Sequence, residues 1–219
     1  FRRIAADQAD LVLVGGALNA EREDLLLGYE IGRNLWRGPY LPVWHRRERG
    51  GGFIPGSVGA FLMLESRSHA ERRGARAYAR IAGVATDRCD REPGDVVRTT
   101  SHLFERLRPR IPAGPLAVLS GASGVEPVTS EEMIALDNLS MSGIDAATRA
   151  FGNMLGHSVE AQFPAGVALA ALSVRHGVLP PPSVSTGVER PFSGALDRVL
   201  VTGVGHWRGE GMALVEKVD

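Results

Sequence analysis

The chain has 219 residues, 44% of them hydrophobic, which is enough to bury a sizeable core in one compact domain or in one half of a larger one. Lysine plus arginine and aspartate plus glutamate both number 25, so no net field favours nucleic acid or an anionic membrane surface. A single cysteine, Cys89, excludes an internal disulfide framework and fits a reducing cytoplasm, and the apolar run AGVALAAL is too short to span a bilayer.

The chain opens on Phe1 in FRRIAADQADLVLVGGA, which reads as the last turns of a helix running into a strand. The 219 residues are therefore expected to be the C-terminal part of a longer polypeptide. ADLVLVGGA is a short buried strand, its Val12 and Val14 β-branched and Gly15-Gly16 ending it. An irregular stretch runs from Arg33 to Gly52, and the arginines of WHRRERGGG read as a solvated loop. FIPGSVGAFLMLE is the next strand, with glycines that suggest bulges or close backbone approach. SRSHAERRGA has the serine start and Gly74 stop of a short helix, and ARAYARIAGVA alternates as a strand. A helix spans Gly94 to Leu107, stopped before Pro109, and LAVLS is a short apolar strand. Thr129 and Glu132 have capping-box spacing and open another helix. The long helix after Gly156 ends at Gly177 before the Pro180 to Pro182 run, and RVLVTG and MALVEKV form two final strands around GVGHWRGEG. The order predicts a layered α/β fold with a mixed sheet.

Three motifs invite over-reading. GVGHWRGEG follows a strand as a dinucleotide loop would, but a strand follows it and no helix N-terminus is there to hold a pyrophosphate. SGASG lacks the G-x-S-x-G spacing of a serine-hydrolase elbow. The six histidines never pair at metal-ligand spacing with each other or with Cys89, so neither a metal nor a cofactor is expected. Cys89 itself lies in TDRCDREPGD, where Asp87 and Asp90 are expected to oppose its ionisation.

The whole order of elements resembles the C-terminal half of a β-ketoacyl synthase, the condensing enzyme of fatty-acid and polyketide synthesis. ADLVLVGGA matches a family strand of the type ADVMIAGG. GGFIPGSVGAFLMLESRSHAERRGARAYARIAG follows the family's DGFVxGEGAGxLVLExxxxAxxRGAxIYAxxxG, with Glu65, Ala70, Arg73, Gly74, Ala75 and Tyr78 in place. GHSVEAQFPAGVALAALSVRHGVLPPP matches the family's Gly-His, small-residue helix and proline-ended loop. The resemblance implies a thiolase-like layered fold, a mixed sheet with helices on both faces. In it residues 1–66 close the N-terminal half and 67–219 form the C-terminal half. It also implies an acyltransferase that elongates acyl chains by decarboxylative condensation, an acyl carrier protein bearing acyl or malonyl groups as a partner, a homodimer or a heterodimer with another synthase, and a cytoplasmic location.

The same resemblance places the site. His157, after Gly156, matches the second of two family histidines that act with a cysteine nucleophile, and the nucleophile is expected upstream of Phe1. In the family the histidines donate hydrogen bonds to the thioester oxygen of malonyl-carrier protein and stabilise the enolate left when carbon dioxide departs. An imidazole at the helix start suits that work, because the helix dipole disfavours its charged form. The first family histidine stands eleven residues before a glutamate; counting back from Glu131 gives Ser120, a hydroxyl that donates one bond but does not change charge. The family lysine five residues before the second histidine is Gly152 here. In the terminal NSFGFGGTN motif, TGVGHWRGE sets Gly205 beside His206, and His206 takes the place of a phenylalanine that gates the acyl pocket. These departures leave two readings, a weakened synthase or a silent partner subunit that shapes the acyl tunnel as a chain-length factor does.

Overall fold

The computed structural model describes residues 1–184, 187–205 and 207–218. In chain order the elements are α1 (Arg2–Ala5), β1 (Leu11–Leu18), α2 (Glu23–Ile31), α3 (Val43–Arg46), β2 (Val58–Glu65), α4 (Arg67–Arg72), β3 (Arg80–Asp87) and α5 (Asp95–Leu107). There follow β4 (Gly114–Ser120), α6 (Val128–Met141), β5 (Ile144–Ala150), α7 (Gly152–Leu155), α8 (Gln162–His176), β6 (Arg198–Val204) and β7 (Glu210–Glu216).

The main sheet has the order β3-β7-β6-β4-β5. β4 runs parallel to both β5 and β6, while β7 is antiparallel to β6 and β3. Alternation along β4 divides the core. Leu116 and Val118 join Leu103, Phe104 and Leu107 of α5 and Leu136 and Leu139 of α6 on one face. Ala117 and Leu119 join Val167, Ala170 and Val174 of α8 on the other. Burial on both faces explains why LAVLS is an unbroken apolar run.

A second, two-stranded sheet pairs β1 antiparallel to β2, with Val12 opposite Leu64 and Leu13 opposite Met63. Its inner face packs on α8, so α8 lies between two sheets and the layers run helices, five-stranded sheet, α8, two-stranded sheet. A helix in that position needs small side chains. A Cβ on Gly166 would stand 2.8 Å from Val201 and 2.9 Å from the Phe151 ring. Pro164 is tolerated because it falls in the first turn, and Gly177 ends α8 with φ of 68°. No helix of the described residues is long and apolar enough to cross a membrane.

The mixed α/β architecture agrees with the sequence expectation, and several details differ. β5, IDAATRA, was not expected as a strand. It has one large apolar residue and contains Arg149, whose guanidinium is buried and donates to the carbonyls of Pro180, Thr148 and Arg190. α2 was also unexpected; it buries no side chain and carries Gly28 in its middle, so it shows little amphipathic pattern. The WHRRERGGG loop is not uniformly solvated. Arg46 is 2% exposed and donates to Leu41 O and Ser123 O, and burial lowers its guanidinium to about 10.

Candidate active site

Ligand sites in such folds collect beyond the carboxyl ends of parallel strands. Of the residues singled out from the sequence, Ser120 ends β4, Gly205 follows β6, and Gly156 and His157 follow β5 and α7. Ser120 is the last residue of β4 and is fully buried. Its Oγ accepts from Ala122 N at 3.1 Å and donates to Glu132 Oε1 at 2.8 Å. Thr202 of β6 donates to the same oxygen at 2.5 Å. The capping box expected of Thr129 and Glu132 is not made: Thr129 accepts from Gly124 N in the preceding loop, and Glu132 turns into the core. Burial pushes the Glu132 carboxyl up from its ordinary value, opposed by the Thr202 and Ser120 hydrogen bonds.

Glu131, one residue earlier, behaves differently. Its carboxylate accepts from the backbone N–H groups of Gly94, Val96 and Val97 and so caps α5, a helix whose own N-cap is a glycine.

His157 is held by backbone. Its N–H donates to Ile54 O at 2.8 Å, and its carbonyl accepts from Gly56 N at 3.1 Å. Two glycines allow this approach. A Cβ on Gly156, where φ is 71°, would stand 2.8 Å from Gly56 Cα, and a Cβ on Gly56 would strike Leu155 O. The imidazole is 5% exposed with its ring centre 5.2 Å from that of Phe53. The expectation that His157 starts the long helix is corrected. A 3-10 turn at Val159–Ala161 intervenes and α8 begins at Gln162, because Ser158 N and Oγ both donate to Gln162 Oε1 and fold the chain into a tight turn there.

The two positions are joined through the strand-end loops. Phe151 N donates to Ser120 O at 3.2 Å, which hangs the start of α7 from the end of β4. At Gly152, where the family resemblance calls for lysine, a Cβ would stand 3.8 Å from Gln162 Nε2. That amide nitrogen is buried and makes no hydrogen bond among the described residues. Glu189 fixes the same loops from below. Its Oε1 accepts from Trp44 Nε1 and Ala150 N, each at 3.0 Å, and its Oε2 accepts from Ser183 N at 2.6 Å.

In the terminal hairpin Gly205 N donates to Gly209 O at 2.9 Å and Gly205 O accepts from Arg91, so both backbone groups are used within the protein. His206 lies outside the described residues. Arg91 also donates to Cys89 Sγ at 2.7 Å, so the nearest charge to this thiol is a cation and not the aspartates expected from the sequence.

Sequence reasoning missed Glu132, Gln162, Thr202 and Glu189 as members of this region. Only the third dimension brings them to Ser120 and His157. Glu132 was assigned to a helix cap by its spacing, and Gln162 opens α8 just ahead of its apolar run.

No family model matches the chain. It is 34% identical over 167 residues to the tetracenomycin polyketide synthase ketoacyl synthase beta subunit of Streptomyces glaucescens, a match covering 74% of this chain and 39% of that protein. It is 32% identical over 138 residues to the oxytetracycline polyketide putative beta-ketoacyl synthase 1 of Streptomyces rimosus, covering 59% of this chain and 32% of that one. The matches thus span about a third of these relatives' length. Among solved structures it is similar to a type II polyketide ketosynthase bound to a hexaketide, in complex with its acyl-carrier protein. There the TM-score is 0.81 at 19% identity, covering all of this chain and 59% of the other.

Proposed function

The chain belongs to the β-ketoacyl synthase family, and from that premise we propose that it is part of a polyketide-type subunit acting in decarboxylative chain elongation on acyl carrier protein, with a site of its own that is weakened. Residues 1–66 would close the N-terminal half and 67–219 form the C-terminal half, paired with a second synthase subunit. The relatives are polyketide proteins, which favours that chemistry over fatty-acid synthesis.

In the reaction, the bond between the malonyl carboxylate and the α-carbon breaks, carbon dioxide leaves, and the electron pair becomes an enolate on the thioester oxygen. The enolate carbon then attacks an acyl thioester, forming the new carbon–carbon bond and releasing the acyl group's thiolate. His157, fixed by Ile54 and Gly56, is the imidazole available to donate to the enolate oxygen. The observation carrying the weakened reading is Ser120, whose hydroxyl is committed to Glu132 where a histidine would donate to substrate. By the family pattern His206 would take the acyl-gate position, with Gly156 and Gly205 on the substrate side of the site.

The test is elongation from malonyl-carrier protein by the intact protein, alone and with a ketosynthase subunit, with products resolved by mass. Slow elongation is expected, falling by about two to three orders of magnitude in His157→Ala. Turnover indifferent to that change would defeat the reading. A second reading, a silent chain-length-factor-like partner, is favoured by Ser120 and Gly152 together. It predicts no turnover alone and a changed product length from the paired synthase when His206 becomes Trp.

A further inference from the structure

Glu132 is the buried group at these strand ends that the family pattern leaves without a role. It is fully buried, as are both hydroxyls that bind it, one from β4 and one from β6. Both donate to Oε1. Oε2 is buried and makes no hydrogen bond among the described residues. The charged groups of the surrounding elements are engaged elsewhere: Glu131 caps α5, Arg46 reaches Ser123 O from α3, Asp95 of α5 pairs with Arg98, and Glu210 of β7 takes Cys89 N and Arg91. Burial favours the protonated form of this carboxyl against the two accepted hydrogen bonds, and a proton on it belongs on Oε2, the oxygen that accepts neither hydroxyl.

The setting is also specific in place. Ser120 occupies the position of a family histidine, and a serine leaves most of an imidazole's volume to be filled from elsewhere. Glu132, reaching across from α6, contacts Ser120 there. The same exchange recurs at Gly152, beside which Gln162 of α8 presents an unused amide nitrogen. A long polar side chain from a neighbouring helix thus stands where the strand-end residue has become small.

We propose that Glu132 is a neutral carboxylic acid whose Oε2 hydroxyl donates the hydrogen bond to the carbonyl oxygen of a bound acyl thioester, in place of the absent histidine. The inference rests on the reading that this site handles acyl thioesters. Burial supports it, since desolvation favours the protonated form. A neutral acid kept in an apolar site is an effective donor to a developing oxyanion. A buried hydroxyl with no acceptor is destabilising on its own, and a substrate oxygen supplies that acceptor.

The experiment is difference infrared spectroscopy on the intact protein at neutral pH, with acetoacetyl-N-acetylcysteamine thioester as the probe. Wild type is expected to show the carbonyl band of a protonated buried carboxyl, absent in Glu132→Gln, and the probe is expected to move that band to lower frequency. Ser120→Ala should keep the probe-induced shift. An ionised Glu132 at neutral pH, a protonated band that the saturating probe leaves unmoved, or a probe-induced shift that disappears in Ser120→Ala overturns the proposal. None of these readouts needs turnover, so an inactive protein would count against the elongation reading and leave this result to be judged separately.

Discussion

The two sheets of the molecule both contain strongly apolar strands and end in different states. In the five-stranded sheet α5 and α6 cover one face and α8 the other, and Leu116, Val118, Leu119, Leu200 and Val201 are all at most 1% exposed. In the two-stranded sheet only the inner face is covered. Its outer face presents Leu13, Phe61 and Met63, exposed by 61%, 62% and 58%, with Phe61 lying over Gly15. Hydrophobic sequence therefore reports that a strand is to be covered, and the packing shows which cover this chain supplies itself. Contiguous apolar faces of this kind are seldom left open to water.

The largest effect that sharpens this comparison is a cavity in the covered sheet. Leu119→Ala is expected to cost about 2–5 kcal/mol in urea unfolding, because the side chain is fully buried against α8. Leu13→Ser on the open face should change stability by only about 0.5 kcal/mol, while weakening association with whatever chain or segment covers it, as read by light scattering. Equal costs at the two sites would mean that the outer face is already packed in the working protein.

Next in size is Glu189, which ties Trp44, Ala150 and Ser183 together beneath the strand ends. Glu189→Ala leaves the Trp44 and Ala150 donors buried without an acceptor and is expected to destabilise by roughly 3 kcal/mol. The loop from Phe151 to His157 should loosen with it, visible as faster amide exchange at His157, whose N–H is bound to Ile54 O.

The sequence was readable where a residue's role follows from its own neighbours in the chain. β1, β2, β4, β6 and β7 follow from alternation or continuous apolar runs, and α5 and the end of α8 at Gly177 from their boundary residues. β5 was hidden because Arg149 looks like a solvent residue until the carbonyls of Pro180 and Arg190 are brought to it. At the site, Ser120 and His157 were singled out through the family motif; Ser120 ends β4, and His157 follows α7. Glu132 was not legible. Spacing assigns it to a helix cap, and nothing local says that Thr202, seventy residues on, donates to it.

The smallest effects concern pH and distinguish a carboxyl of α6, beside the covered sheet, from one in the open sheet. Glu132, raised by burial at the covered sheet's end, contributes stability that is fully present below the ordinary carboxylate range and lost as pH rises through its elevated value. Glu132→Gln should therefore flatten the fall of Tm on the alkaline side while matching wild type in acid. Glu65, the last residue of β2, has the opposite sign. Arg73, and after it His69, hold its carboxyl down from the ordinary 4.5 to about 2. Its contribution is present above pH 4.5 and disappears as pH falls through about 2, so Arg73→Ala should lie slightly below wild type in Tm at neutral pH and converge with it in that acid window. The difference should be small because the Arg73 side chain is 55% exposed, and added salt should shrink it further. A Tm difference that persists at pH 2, or one that salt leaves untouched, would mean that Arg73 acts through packing and not through its charge.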